Sequence, residues 1–161
     1  MRRLAALALL ALPMLSGCGL HPIYAGGAKG AAAQALAGVQ VEPIEGKAGW
    51  LMQNALKDRL VAMGKGAPRY SLRVKLDDRI EGLGVRADDS VTRERRTLRA
   101  RFQLVDMTDD TTLVDETASW DAGIDVASSE YATVAAENSA LERLTQIVAD
   151  RVLSRVAAAQ R

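Results

Sequence analysis

The most restrictive feature of this chain is its C-terminal stretch, in which neither glycine nor proline occurs from Glu130 to Arg161. Tyr131, Val134, Asn138, Leu141, Leu144, Val148, Val152 and Val156 recur there at near-3.6 spacing, widened by Ala135 and Ile147. Glu137, Glu142, Arg143, Asp150, Arg151 and Arg155 fall on the other side. The pattern predicts one amphipathic helix of roughly 40 Å at 1.5 Å per residue. Ser128 or Ser129 is placed to cap it, with Glu130 in the first turn. A helix with one long apolar face must bury that face against another layer.

That layer is predicted by period-two alternation. Tyr70, Leu72, Val74 and Leu76 alternate with Ser71, Arg73, Lys75 and Asp77, and Leu98, Ala100, Phe102 and Leu104 alternate with Arg99, Arg101 and Gln103. Each reads as a strand with one dry and one wet face. A third long strand spans Leu113 to Trp120, with Val114, Glu116, Ala118 and Trp120 on one face. Asp106 to Thr111 reads as a hairpin loop, which favours antiparallel pairing of the strands it joins. Asp77-Asp78 and Gly82-Leu83-Gly84 interrupt the first alternation, and Ala87 to Ser90 reads as a turn. Asp121 to Ser129 reads as a linker. Upstream, Val39 to Glu42 is a short edge strand stopped by Pro43. Gly46 to Gly49 reads as a turn before a helix from Trp50 to Met63, with Met52, Ala55, Leu56, Leu60 and Met63 inward and Lys57, Asp58 and Arg59 on the other face.

The N-terminus carries an address. Met1-Arg2-Arg3 is basic, Leu4 to Leu15 is apolar, and Ser16-Gly17 are small. This is a secretory signal pattern, too short for the roughly 20 residues of a membrane-spanning helix. It closes on Leu15-Ser16-Gly17-Cys18, which resembles the lipobox of bacterial lipoproteins. That resemblance implies cleavage before Cys18 and lipid on its thiol and freed amine, with two or more acyl chains giving a stable anchor. The domains are therefore read as a signal peptide over 1–17, a lipidated tether over 18–35 and a single domain over 36–161. Gly19 in place of aspartate after the lipidated cysteine favours the outer membrane by the rule known for enteric bacteria. Cys18 is the only cysteine, so once it carries lipid no disulfide and no thiolate zinc site remain.

Charge excludes one function class and points to another. Without Arg2 and Arg3 the chain carries 19 basic and 20 acidic residues, too balanced for a nucleic-acid binder acting through bulk charge. Lys57 to Arg101 nonetheless holds 13 basic against 7 acidic residues, and Phe102 to the end holds 4 against 11. The basic half fits an anionic ligand or partner. Its densest part is Arg93-Glu94-Arg95-Arg96 with Arg99 and Arg101, preceded by Arg86. Strand alternation puts Arg93, Arg95, Arg99 and Arg101 on one face and points Arg96 the other way. Arginine forks suit phosphate and carboxylate; the ordinary alternative is a solvated sheet face paired with neighbouring carboxylates. Enzyme chemistry has little to stand on. His21 is the only histidine and lies on the tether, no glycine loop is followed by a phosphate-binding lysine, and no histidine pair could hold a metal.

Three stretches carry a family resemblance. Cys18-Gly19-Leu20-His21-Pro22-Ile23-Tyr24 looks like the mature start of the lipopolysaccharide-assembly lipoproteins of the LptE family. Trp50-Leu51-Met52-Gln53-Asn54-Ala55-Leu56 resembles their first helix, and Ser129-Glu130-Tyr131-Ala132-Thr133-Val134-Ala135-Ala136-Glu137 the opening of their last. The resemblance implies an α+β fold with two helices packed on one face of a four-stranded sheet. It implies a non-enzymatic outer-membrane lipoprotein facing the periplasm and seated as a plug in the LptD β-barrel. It also implies binding of lipopolysaccharide during insertion into the outer leaflet. By region and charge, Arg86, Arg93, Arg95 and Arg96 are the candidates for touching lipid A. No cofactor is implied beyond the covalent lipid on Cys18. The competing readings are another small periplasmic lipoprotein, such as an auxiliary binding subunit of an envelope transporter, and a lipid-anchored hydrolase.

Overall fold

The computed structural model describes residues 30–64, 66–85 and 91–160. In chain order these form α1 (Ala31–Leu36), β1 (Val39–Val41), α2 (Gly46–Met63), β2 (Tyr70–Val85), β3 (Val91–Asp106), β4 (Thr112–Asp125) and α3 (Glu130–Ala159). The strands make one sheet in the order β1-β2-β3-β4. β1 runs parallel to β2, which it reaches through the α2 crossover, and the remaining pairs are antiparallel. Register sets the layers. Leu72 lies opposite Leu104, which lies opposite Val114, and Leu76, Ala100 and Ala118 form a second row. The face these rows make is covered by α2 and α3, so the predicted α+β arrangement of two helices on a four-stranded sheet is the one found.

The core is where the two periodicities meet. Leu72, Leu98, Phe102 and Leu104 of the sheet lie with Met52 and Leu56 of α2 and Leu141, Leu144, Val148, Val152, Leu153 and Val156 of α3, all essentially without solvent contact. Each such side chain contributes about 1.5–3 kcal/mol over its exposed state. The two helices run parallel and are joined by Arg59, which donates to the carbonyl of its own helix at Ala55 (2.9 Å) and across to Gln146 Oε1 (2.8 Å) and Asp150 Oδ2 (3.1 Å). Lys47 Nζ reaches Asn138 Oδ1 at 2.6 Å. Arg59 and Asp150, which the periodicity assigns to solvated faces, therefore pin helix to helix.

Several boundaries differ from the sequence reading, each for an identifiable reason. β2 continues through Asp77-Asp78 and Gly82-Leu83-Gly84, because both carboxylates find partners. Asp77 faces out and accepts from Arg79 Nε at 3.0 Å, and Asp78 faces in and accepts from Arg96. Asp121–Asp125, read as linker, completes β4. Ile124 is buried there and Asp125 meets Arg93 at 3.2 Å. α2 starts at Gly46 rather than Trp50. Gly49 packs so closely on the preceding chain that a Cβ would lie 2.5 Å from the Ile44 carbonyl oxygen, so glycines that read as a turn serve the helix entry. α1 overlaps the end of the stretch read as tether and the start of the predicted domain, with Ala33 and Leu36 buried and the helix packed on α3.

Ser129 occupies the cap position of α3 but makes no side-chain cap bond; Thr133 Oγ1 instead accepts from Ala127 N at 3.2 Å. Tyr131 and Val134, expected on the apolar face, are 85% and 46% exposed, because Thr133 takes the inward position in that first turn.

Candidate functional site: the open face of the sheet

The helices cover only one side of the sheet. On the other side, the odd-numbered residues of β2 and β3 stand in register. Arg73 is opposite Gln103, Lys75 opposite Arg101, Asp77 opposite Arg99, Arg79 opposite Thr97 and Glu81 opposite Arg95. β4 continues the rows with Asp115 opposite Gln103, Asp121 opposite Thr97 and Asp125 opposite Arg93. The result is a polar face with Arg73, Lys75, Arg79, Arg93, Arg95, Arg99 and Arg101 over its length and acids mostly along the β4 side. It follows from strand physics: alternation that buries Leu98, Ala100, Phe102 and Leu104 must present Arg95, Arg99 and Arg101 to solvent.

Most of these cations are held by exposed carboxylates. Arg73 Nε meets Glu42 Oε1 at 2.8 Å, Arg101 Nη2 meets Asp115 Oδ2 at 2.8 Å, and Arg93 meets Asp125 at 3.2 Å. Arg95 is 4.0 Å from Asp121. Among the described residues Lys75 and Arg99 have no ion pair. Exposed pairs contribute roughly 0–1 kcal/mol, so an anionic ligand displaces them at little cost. A shallow groove of about 280 Å³ lies between Arg73, Lys75, Arg101 and Gln103.

The carboxylates that hold this face are correspondingly acidic. Asp115 is lowered to about 2, first by the Arg101 hydrogen bonds and then by Gln103 Nε2 at 2.8 Å. Glu42 is lowered first by the Ser71 hydroxyl and then by Arg73. Asp106, at the end of β3, is lowered chiefly by the backbone N–H of Thr108, with Arg69 adding to it. Depressed folded values make these groups stabilising above their unfolded values, near 4, and that contribution is lost as pH falls through the folded ones. Melting temperature is therefore expected to be level above about pH 5 and to fall as pH drops from about 4 towards 2. The gap between wild type and Asp115→Asn should be open at pH 7 and close near pH 2; a gap that widens in acid would contradict the assignment.

The four arginines singled out by sequence separate. Arg93 and Arg95 are on the open face with well-exposed side chains. Arg96 is not with them. It points under the helices, is only 9% exposed, and binds Asp78 through Nε (2.8 Å) and Nη2 (2.6 Å) and the Glu137 carbonyl through Nη1 (2.7 Å). A guanidinium with its fork filled in this way holds α3 to the sheet and is not offered to a ligand. Arg86 and the lipidation candidate Cys18 lie outside the described residues. Arg73, Lys75 and Arg79 were missed as partners of the cluster. Their alternation on β2 is plain in the sequence, but only the β2–β3 register places them beside Arg95, Arg99 and Arg101.

What the geometry defines is an α+β domain with one apolar face covered by helices and an open face of arginines, lysine and carboxylates. No curated protein matches it. The chain belongs to the LptE family of lipopolysaccharide-assembly proteins, whose family model matches residues 36–156. Solved structures share the fold. A protein of Caulobacter crescentus CB15 superposes with a TM-score of 0.64 at 19% identity, covering 80% of this chain and 94% of the other. A minor lipoprotein of Acinetobacter baumannii gives 0.61 at 16% identity, covering 74% and 90%. The rare lipoprotein B of Shewanella oneidensis gives 0.52 at 14% identity, covering 74% and 92%.

Proposed function

We propose that this chain is a non-enzymatic lipoprotein of the outer membrane, anchored through lipid on Cys18, that plugs an LptD-like β-barrel. In this reading its open sheet face holds the anionic part of lipopolysaccharide during insertion into the outer leaflet. The observation that carries the ligand part is the run of cations along that face, Arg93 and Arg95 at one end and Lys75 and Arg99 without ion pairs nearer its centre. Family membership supplies the pathway. Arg86, which follows β2 in the sequence, is kept as a further candidate contact. Arg96 supports the strand that carries Arg93 and Arg95 and is not itself a contact.

Binding of purified lipopolysaccharide tests this reading. Arg93→Glu/Arg95→Glu reverses two exposed charges and should weaken binding at least tenfold, about 1.4 kcal/mol. Both side chains make only exposed pairs, so thermal unfolding should change little. Undiminished binding by the double variant would remove the open face from the ligand site.

A further inference from the structure

The two edges of the sheet are treated differently. The β4 edge is closed by its own helix: Arg155 Nη1 donates to the Thr117 carbonyl (2.6 Å), Arg151 Nη1 to the Ser119 carbonyl (3.3 Å), and the Arg151 guanidinium lies 3.9 Å over the Trp120 ring. At the other edge β1 pairs with β2 only from Tyr70 to Leu72. Tyr70 N donates to the Gly38 carbonyl and the Leu72 carbonyl accepts from Glu42 N, so the main-chain groups of even-numbered β2 residues point outward. Pro43 then carries the chain away towards α2. From Lys75 to Gly82 no strand of the described residues stands opposite. Asp78 shows that the main chain is open there. The residue is exposed, although its side chain, held by Arg96, is only 23% exposed. A groove of about 620 Å³ between Glu42–Glu45 and Arg73–Leu76 leaves the start of this stretch accessible.

Unpaired N–H and C=O groups along a regular edge invite an added strand. Because β1 holds the edge up to Leu72, only a short segment fits, lying beyond it. The side chains say which kind. On the open face Lys75, Asp77, Arg79 and Glu81 alternate in sign. Asp77 and Arg79 meet each other at 3.0 Å, whereas Lys75 and Glu81, at the two ends, have no ion pair among the described residues. An antiparallel strand answers them with an acid opposite Lys75 and a base opposite Glu81. In the new ladder these are the non-hydrogen-bonded pairs, where opposed side chains stand closest. On the helix face the same strand meets Leu76, which is half-buried, and Ile80, which is 41% exposed. Asp78 between them presents no free charge, since Arg96 binds both its oxygens. The complementary segment therefore carries charge on one side, base first and acid last, and β-branched apolar residues on the other. A single added strand widens the sheet by about 4.8 Å and leaves this chain one domain.

We propose that the β2 edge from Lys75 to Gly82 docks one extended segment of another protein, an amphipathic strand with this charge order, added antiparallel to the sheet. The pairing does not depend on the ligand reading given above.

A synthetic probe peptide tests it, with the sequence lysine, valine, glutamate, threonine, lysine, valine, glutamate and both ends blocked. The labelled peptide is titrated into the full-length lipoprotein in detergent and followed by fluorescence anisotropy, and amide hydrogen exchange locates it. Binding should be saturable, with exchange slowed at Leu76, Asp78, Ile80 and Gly82, whose N–H groups point outward. A second peptide with the first lysine and last glutamate exchanged should bind at least tenfold more weakly, and Lys75→Glu/Glu81→Lys should reverse that preference. Both positions are exposed, so melting curves should stay close to wild type and separate lost docking from lost folding. Ile80→Pro removes one outward N–H without breaking a β2–β3 bond and should weaken binding at least tenfold, while Ile80→Val stays within about threefold of wild type. No saturable binding with peptide at about 1 mM, slowed exchange away from this edge, equal binding of the two peptides, or full binding by Ile80→Pro would each overturn the proposal.

Discussion

Arg96→Ala is expected to lower the stability of the fold by about 2–4 kcal/mol, while Arg95→Ala, one residue away, costs less than about 1 kcal/mol. The two differ because of the face each occupies. Arg96 is buried beneath α3 and fills its fork with Asp78 and the Glu137 carbonyl. Truncation leaves a carboxylate with only partial access to water and a helix carbonyl without its donor, and an unpaired buried charge is the costly outcome. Arg95 stands half-exposed at 4.0 Å from Asp121, where water replaces the contact. Chemical denaturation of the two variants measures the difference. Arg96→Lys should fall between them, because a single ammonium cannot reproduce the two-point grip on Asp78 together with the bond to Glu137. Equal, small losses for Arg95→Ala and Arg96→Ala would mean that Arg96 does not tie α3 to the sheet.

Gly38→Ala should cost more than about 3 kcal/mol. Gly38 has φ +85°, in the left-handed region where an L side chain is strained by roughly 1–2 kcal/mol. It also has no room: a Cβ would lie 2.4 Å from the Ala67 carbonyl oxygen, which is backbone and cannot swing away. The residue is the hinge between α1 and β1, and its carbonyl accepts from both Arg69 N (2.9 Å) and Tyr70 N (3.1 Å). Relieving the overlap means parting β1 from β2 at the start of their pairing. The expected result is a large drop in the unfolding midpoint, accompanied by faster amide exchange at Val39–Val41 and Tyr70–Leu72. Gly46→Ala is the contrast. Its φ is +79° but nothing lies within 4 Å of the added Cβ, so only the conformational cost remains. Similar losses for both substitutions would show that the close approach at Ala67 contributes nothing.

The layers of this fold were legible because its core obeys one period per element. Leu98, Ala100, Phe102 and Leu104 read as a strand and Leu141 to Val156 as a helix, and each buries the side that its pattern names apart from Ile147, which is exposed. Legibility stops where charge does the work of apolar alternation. Asp77, Asp78 and Asp121 to Asp125 oppose strand propensity locally, and only their arginine partners, Arg79 on the same strand for Asp77 and cross-strand arginines for Asp78, Asp121 and Asp125, make them strand residues. The same long-range dependence hid half of the candidate site. Arg93 and Arg95 were visible as a cluster in sequence. Lys75 joins them through the β2–β3 register, and Arg96 leaves them by the parity that strand alternation already assigns it. Arg59 looked like a solvated helix residue because its partners Gln146 and Asp150 are far away along the chain.

Affinity capture from the outer membrane tests most directly the proposal that this LptE-family chain works inside an outer-membrane assembly that handles lipopolysaccharide. Tagged, full-length protein extracted in mild detergent should bring down a large β-barrel in near-stoichiometric amount together with lipopolysaccharide, and its depletion should remove lipopolysaccharide from the cell surface. Recovery of the protein without a barrel, from cells that keep a normal lipopolysaccharide surface after depletion, would contradict the account.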